Sequence, residues 1–310
     1  MLSEPRVTLD MYLDGEAHRP FAYRVLVPTV IRELDNITPS FVSSQLDQIA
    51  TKLEASTSVA AGITNKNPRA ILWLGLILTV SLVGYVVAGH RLYSELFPGS
   101  ASLACLGTLQ LAIIVPFLGQ KLGHVYDFTV LFFMMMLLLA MRLGNRPLYI
   151  AVFALACLNK ETAILAVFAY GAVYWGKIPF RRWIFDISCQ LLVFAITYGM
   201  ARWIFRDNPG AGMTPWLSDQ LPYYRDHIGR FFVFAALGVW LVFRLPECPS
   251  FLRRAAVAMI APQVVLVLLG AKPGEVRNLY EILPIVSIVV MRDVEIAICR
   301  LRYRLDAAKS

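Results

Sequence analysis

Lys160 and Glu161 stand side by side between two apolar runs, 148–158 and 162–175, neither of which is comfortably long enough to cross a bilayer. A charged side chain at bilayer depth costs about 2.5–3.5 kcal/mol and is normally found facing a bundle interior or a wet cavity. Neighbouring residues on a helix point about 100° apart, so these two do not neutralise each other and each requires a partner elsewhere in the chain. Such a pair offers a cation for an anionic group and a carboxylate for a proton. The plainer alternative is a structural salt bridge inside a bundle.

Other polar groups of unusual kind occur near the N-terminus. Asp10, Asp14, Glu16, His18, Arg19 and Arg24 fall within twenty residues, where Asp-Gly and Arg-Pro pairs mark turns. A carboxylate there suits activation of a hydroxyl, and a guanidinium suits a phosphate, which it grips with two parallel hydrogen bonds. A solvated loop with local ion pairs is the competing reading. Gln120, His124 and Asp127 are spaced four and three apart, which on a helix is one face, and a histidine beside a carboxylate is an oriented acid or base. Tyr126 in the same stretch fits an interfacial aromatic. The stretch around Arg225 holds Tyr223, Tyr224, Asp226 and His227, aromatic and polar groups of the kind that cover a sugar or lipid headgroup. Glu275 and Arg277 precede the last apolar run, with Glu281 four residues beyond Arg277 at the spacing of a surface ion pair.

The elements that must position these groups follow from composition. The chain has 310 residues, 58% hydrophobic and 16% charged, and its mean hydropathy is +0.61. Soluble domains run near 45–50% apolar and about 25% charged. The expected fold is therefore all-α: a polytopic transmembrane helix bundle of about 8–10 spans, taking up residues 70–310. Apolar runs lie at 71–89, 101–118, 128–141, 148–158, 162–175, 183–205, 231–243, 255–271 and 282–298. Arg292, Asp293 and Glu295 interrupt the last of these, which predicts that its second half lies at the surface as an amphipathic helix. Residues 1–69 form a polar and amphipathic external segment, in which Ser40 caps a helix carrying Phe41, Val42, Leu46, Ile49, Ala50 and Leu53.

Lysine and arginine set the orientation. With 148–158 and 162–175 read as a hairpin, one set of loops holds Arg91, Arg142, Arg146, Lys177, Arg181, Arg182, Arg244, Arg253, Arg254, Arg300, Arg302, Arg304 and Lys309, thirteen in all. The opposite set holds Lys121, Lys160, Arg202, Arg206, Arg225, Arg230, Lys272 and Arg277, which is eight. The first set, and the C-terminus with it, is expected in the cytoplasm. The external segment would then have to cross the membrane with no apolar run before it, which is resolved if a spanning helix precedes Met1. The net charge of +8 is spread through loops and not interleaved with stacking aromatics, so no nucleic-acid partner is expected. The five cysteines show no metal-ligand spacing, and Walker A, GxGxxG, GxSxG, HExxH and DxD motifs are all missing. No cofactor and no metal set is predicted.

The run His18 to Pro28, then His124-Val125-Tyr126-Asp127, then Asn159-Lys160-Glu161-Thr162 and Glu275-Val276-Arg277-Asn278, resembles bacterial integral membrane proteins of the GT-C glycosyltransferase superfamily. That resemblance implies a multi-helix transferase of the bacterial inner membrane, which takes a sugar from a polyprenyl-phosphate carrier on the external face and passes it to an acceptor. It places the base on Asp14, or alternatively Asp10, with Arg19 and Arg24 near the carrier phosphate. Lys160 and Glu161 would line the same cavity, Glu161 as a second catalytic carboxylate. Arg277 would pair with phosphate or carboxylate, and His124, Asp127, Arg225 and Glu275 complete the binding set. The chain departs from the superfamily in lacking a helix before the first external loop and in being short. A lipid or small-molecule transporter, or a non-catalytic envelope assembly protein, is the alternative.

Overall fold

The computed structural model describes residues 8–56, 68–99, 126–210, 222, 225, 228–270 and 279–307. All regular structure among these residues is helical. The N-terminal part contains α1 (Leu9–Asp14), a 3-10 turn (Phe21–Tyr23), α2 (Leu26–Ile37) and α3 (Ser40–Ser56). It is followed by α4 (Pro68–Leu96), α5 (Asp127–Arg142), α6 (Arg146–Asn159), a 3-10 turn (Glu161–Ile164) and α7 (Leu165–Tyr174). The chain ends with α8 (Phe180–Ile204), α9 (Ile228–Arg244), α10 (Ser250–Gly270) and α11 (Leu283–Ala307). The run at 101–118, with Lys121 and His124, lies outside the described residues.

Local chemistry explains where several helices start and stop. Thr8 Oγ1 accepts the Met11 amide at 3.2 Å and opens α1, which Gly15 closes at φ 76°, a left-handed cap that glycine adopts without a Cβ penalty. Asn145 Oδ1 accepts the Leu148 amide at 3.1 Å, and Pro147 follows in the first turn of α6, where its missing N–H costs nothing. Close packing holds α4 against α5: a Cβ on Gly84 would fall 2.5 Å from Phe132 Cε2, so a larger residue there would have to push that ring aside. The core built around these two helices includes Tyr93, Leu131, Met135, Leu138, Phe153 and Leu252, all nearly inaccessible.

The chain folds back at Lys160. Seventeen residues of straight helix would span about 25 Å, yet the Tyr149 hydroxyl donates to Ala166 O at 3.1 Å and its ring lies 5.0 Å from that of Tyr170. The runs 148–158 and 162–175 are therefore a hairpin.

With that reversal the bundle acquires two distinct ends. At one, Arg142 donates to Glu95 O at 2.9 Å, Tyr174 OH to Met141 O at 2.6 Å, and Arg254 to Trp175 O at 2.9 Å. At the other, residues 15–24, 126–127, 159–162, 205–210 and 280–281 come together. Helices α2 and α3 reach α4 there, where Arg69 at the start of α4 lies 3.4 Å from Asp35 and 3.1 Å from Asp47.

Among the described residues two helices, Arg69–Leu96 and Phe180–Ile204, are long and apolar enough to cross a membrane. Only 22% and 11% of their apolar windows are buried inside the molecule. The rest is apolar surface, with Val80, Val83 and Val87 on α4 and Phe185, Leu192, Ile196 and Met200 on α8 all more than half exposed.

The last helix differs from its sequence reading in part. α11 is continuous from Leu283 to Ala307, its described charges Arg300, Arg304 and Asp306 are exposed, and Arg292, Asp293 and Glu295 are used for packing. Glu295 is buried, accepts the Tyr93 hydroxyl at 2.5 Å and pairs with Arg292 at 2.8 Å. Asp293 accepts from Trp240 at 3.1 Å and from Arg244 at 2.9 Å. Charges that a sequence pattern assigns to water are satisfied here by α4 and α9.

Candidate functional site

The site grows from the interruption after α6. The Lys160 amide still donates to Ala156 O at 2.9 Å, but Lys160 itself is extended (φ −160°, ψ 136°), and a 3-10 turn begins at Glu161. An extended residue sends successive side chains to opposite sides. Lys160 Nζ thus reaches Glu281 Oε1 at 2.6 Å, ahead of α11, while Glu161 turns toward the N-terminal segment. Lys160 is 5% exposed and Glu281 0%, so this is an ion pair removed from water. The Thr162 hydroxyl also donates to Glu281 Oε1. Asn159 anchors the bend: its Oδ1 accepts from Thr129 at 2.7 Å, on the first turn of α5.

Glu161 is gripped by Arg24 through two parallel bonds, Nε to Oε2 at 3.1 Å and Nη2 to Oε1 at 2.7 Å. The third arm of the guanidinium, Nη1, donates to the Tyr126 hydroxyl, and the group also lies 4.3 Å from the Tyr126 ring centroid and 5.2 Å from that of Phe21. Arg24 is placed by the 3-10 turn Phe21–Tyr23, whose Phe21 carbonyl accepts its amide at 3.0 Å, and by Tyr23 packed edge-on against Tyr198 at 5.7 Å. Burial works to raise the Glu161 pKa, but the adjoining Arg24 charge and its hydrogen bonds outweigh this and hold the carboxyl below its ordinary value. Arg24, Lys160, Glu161 and Glu281 carry two positive and two negative charges in adjoining pairs, so the cluster is neutral overall.

A second seam ties the turn after α1 to the turn after α8. Asn208 Nδ2 donates to Gly15 O at 2.7 Å and to Ala17 O at 2.9 Å, and the Arg19 amide donates to Pro209 O at 2.8 Å. Gly210, at φ 105°, sits so close that a Cβ would fall 2.8 Å from Arg19 O.

The residues singled out from the sequence have distinct fates. Arg24, Lys160 and Glu161 come together. Asp127 is buried in the first turn of α5, directly after Tyr126. Asp10 is buried on α1, whereas Asp14 is exposed at the end of that helix, next to the Gly15–Asn208 seam. Arg19 is partly buried and Arg225 exposed. His124, Glu275 and Arg277 lie outside the described residues. Glu281 is the main addition: the spacing from Arg277 reads as a surface ion pair, but the carboxylate is wholly buried against Lys160. The signal that points to it is a charge heading an apolar run, which once packed among apolar helices calls for a partner. Tyr126, read as an interfacial aromatic, is instead a buried ligand of Arg24, and no local pattern announces Asn208.

Between the hairpin, α5 and Glu281 lies a small cavity lined by Phe133, Met134, Asn159, Lys160, Thr162 and Glu281, with 10 Å³ of room for the centre of a water molecule. That is about one water. Glu281 Oε2 is buried with no hydrogen-bond partner among the described residues. Among the described residues no three His, Cys, Asp or Glu side chains stand together as a metal set. No family model matches the sequence, and neither a curated protein nor a solved structure is similar to it at a significant level.

Proposed function

We propose that this chain is a multi-pass membrane glycosyltransferase, using a sugar carried on polyprenyl phosphate, with its site where Arg24, Lys160, Glu161 and Glu281 meet. The observation that carries the reading is that two adjacent charges at a helix break recruit partners from opposite ends of the chain, Arg24 and Glu281, and converge at one polar end of the bundle. Buried ion pairs contribute little net stability, and ionisable groups inside membrane bundles mark substrate and ion pathways. Membrane placement is supported by α4 and α8, since a core helix of a soluble protein would be mostly buried and these are mostly exposed apolar surface. The loops at the other end carry the arginine excess and would face the cytoplasm with the C-terminus of α11, leaving the site on the external face beneath residues 8–56.

In this reading the carrier phosphate displaces Glu161 from the planar fork of Arg24, with Lys160 as a second cation. Glu161, so released, or Asp14, exposed at the end of α1, takes the proton of the acceptor hydroxyl as its oxygen attacks the anomeric carbon. The bond from that carbon to the phosphate oxygen breaks, and the charge left on polyprenyl phosphate is stabilised by Arg24 and Lys160. Membranes containing the protein, supplied with labelled polyprenyl-phosphate sugars, test this directly. Transfer should disappear in Asp14→Asn and Glu161→Gln at unchanged expression. Transfer that persists in both variants refutes the assignment, and label crossing intact vesicles without transfer replaces it with a transporter.

A further inference from the structure

The opposite end of the bundle holds a feature that the transferase reading does not use. Arg142, Lys177 and Arg254 come from three separate elements and converge on the turn after α7. The Tyr174 hydroxyl donates to Met141 O at 2.6 Å, the Lys177 amide to Tyr174 O at 2.9 Å, and Arg254 Nη1 to Trp175 O at 2.9 Å. All three cations are exposed, and none is in an ion pair with a described carboxylate. The nearby acids are committed elsewhere: Glu95 to Arg91 at 2.8 Å, Asp186 to Arg146 at 2.9 Å and Glu247 to Arg244 at 3.1 Å. Partial burial, and after it the charges of Arg254 and Arg142, pull the Lys177 ammonium below its ordinary value. An assembled but uncompensated triad of cations is electrostatically costly, and an anion placed among them relieves the cost.

What surrounds the triad identifies the anion. Trp175, Phe180 and Trp183 form an aromatic cluster beside it, with centroids 4.9 Å apart for the two tryptophans and 5.9 Å for the stacked Phe180–Trp183 pair. Trp175 is 57% exposed and Phe180 61%. Amphipathic rings of this kind settle at the headgroup level of a bilayer, and α8 continues from them as exposed apolar surface along which acyl chains can lie. A free phosphate would need the cations but not the rings.

We infer that Arg142, Lys177 and Arg254, rimmed by Trp175, Phe180 and Trp183, form a binding site for the phosphodiester headgroup of an anionic phospholipid in the cytoplasmic leaflet. The inference rests on the membrane reading above. The test uses the full chain reconstituted in phosphatidylcholine vesicles, with tryptophan quenching by brominated phosphatidylglycerol compared with brominated phosphatidylcholine. Wild type should prefer the anionic lipid, and Lys177→Gln, whose side chain carries no described hydrogen bond, should weaken that preference about fivefold. Arg142→Gln combined with it should weaken the preference further. Arg91→Gln, equal in charge lost but paired with Glu95, should leave it intact. Equal loss in Arg91→Gln, or no preference in wild type, overturns the site. A chain that does not float with vesicles at all refutes the membrane reading itself, and the site with it.

Discussion

The sharpest consequence of the site geometry concerns Lys160 and Glu281. Replacing Lys160 by Met keeps the volume but leaves Glu281, at 0% exposure, with the Thr162 hydroxyl as its remaining described partner. An uncompensated buried charge costs about 3–5 kcal/mol. Removing both charges, as Lys160→Met with Glu281→Met, deletes the ion pair and its desolvation together, which is often neutral or stabilising. The residual loss is the acceptor of the Thr162 hydroxyl, about 1–2 kcal/mol. The double variant is thus expected to be more stable than Lys160→Met alone, although it carries one more substitution. Equilibrium unfolding of the purified chain in mixed micelles, followed by circular dichroism, gives all the required free energies. If Lys160→Met costs less than about 1 kcal/mol, or if the double variant loses the sum of the two single losses, the pair is not coupled as described and the argument for a functional cluster falls with it.

Further expectations follow from the same coordinates. Arg24→Lys keeps the charge but cannot reproduce the two parallel bonds to Glu161 and the third to Tyr126, so it should cost about 1–3 kcal/mol in the same assay, with Arg24→Gln costing more. Because the folded-state pKa of Glu161 lies below its unfolded value, its stabilising contribution is fully present above about pH 4. That contribution should fade as pH falls through the lower, folded value, so the stability gap between wild type and Glu161→Gln should narrow on acidification below pH 4. Asn208→Ala removes two hydrogen bonds to the turn after α1 and should cost about 1–2 kcal/mol, read as faster hydrogen exchange at residues 15–19. On the membrane placement proposed above, a cysteine placed at Asp207 and one placed at Lys177 should react with a membrane-impermeant maleimide from opposite sides of the bilayer, and labelling from the same side would refute that placement.

The helices themselves are legible in the chain. Apolar runs after residue 70, with Asn145 and Pro147 opening one, need only local propensity and capping to be recognised, and the break at Lys160 is visible as charge inside apolar sequence, whereas α1 and α2 lie in a stretch that reads as a polar turn region. That each of the adjacent pair must find a partner elsewhere also follows from energetics alone, because an unpaired charge in a bundle is too costly to persist. Which partners they find does not. Arg24 lies 137 residues from Glu161 and Glu281 lies 121 from Lys160, distances over which no pattern in a single sequence carries information. The physical reason for the separation of the two side chains also differs from the helical one: Lys160 is extended, so its side chain and that of Glu161 leave on opposite sides of the strand-like step. The charges of α11 make the same point. By composition they belong to water, as Arg300, Arg304 and Asp306 do, and the approach of Tyr93 and Arg244 is what draws Glu295 and Asp293 inward. Local chemistry decides what must be satisfied, and tertiary packing decides by whom, since the energy of a buried charge depends on the groups around it and not on its neighbours in the chain.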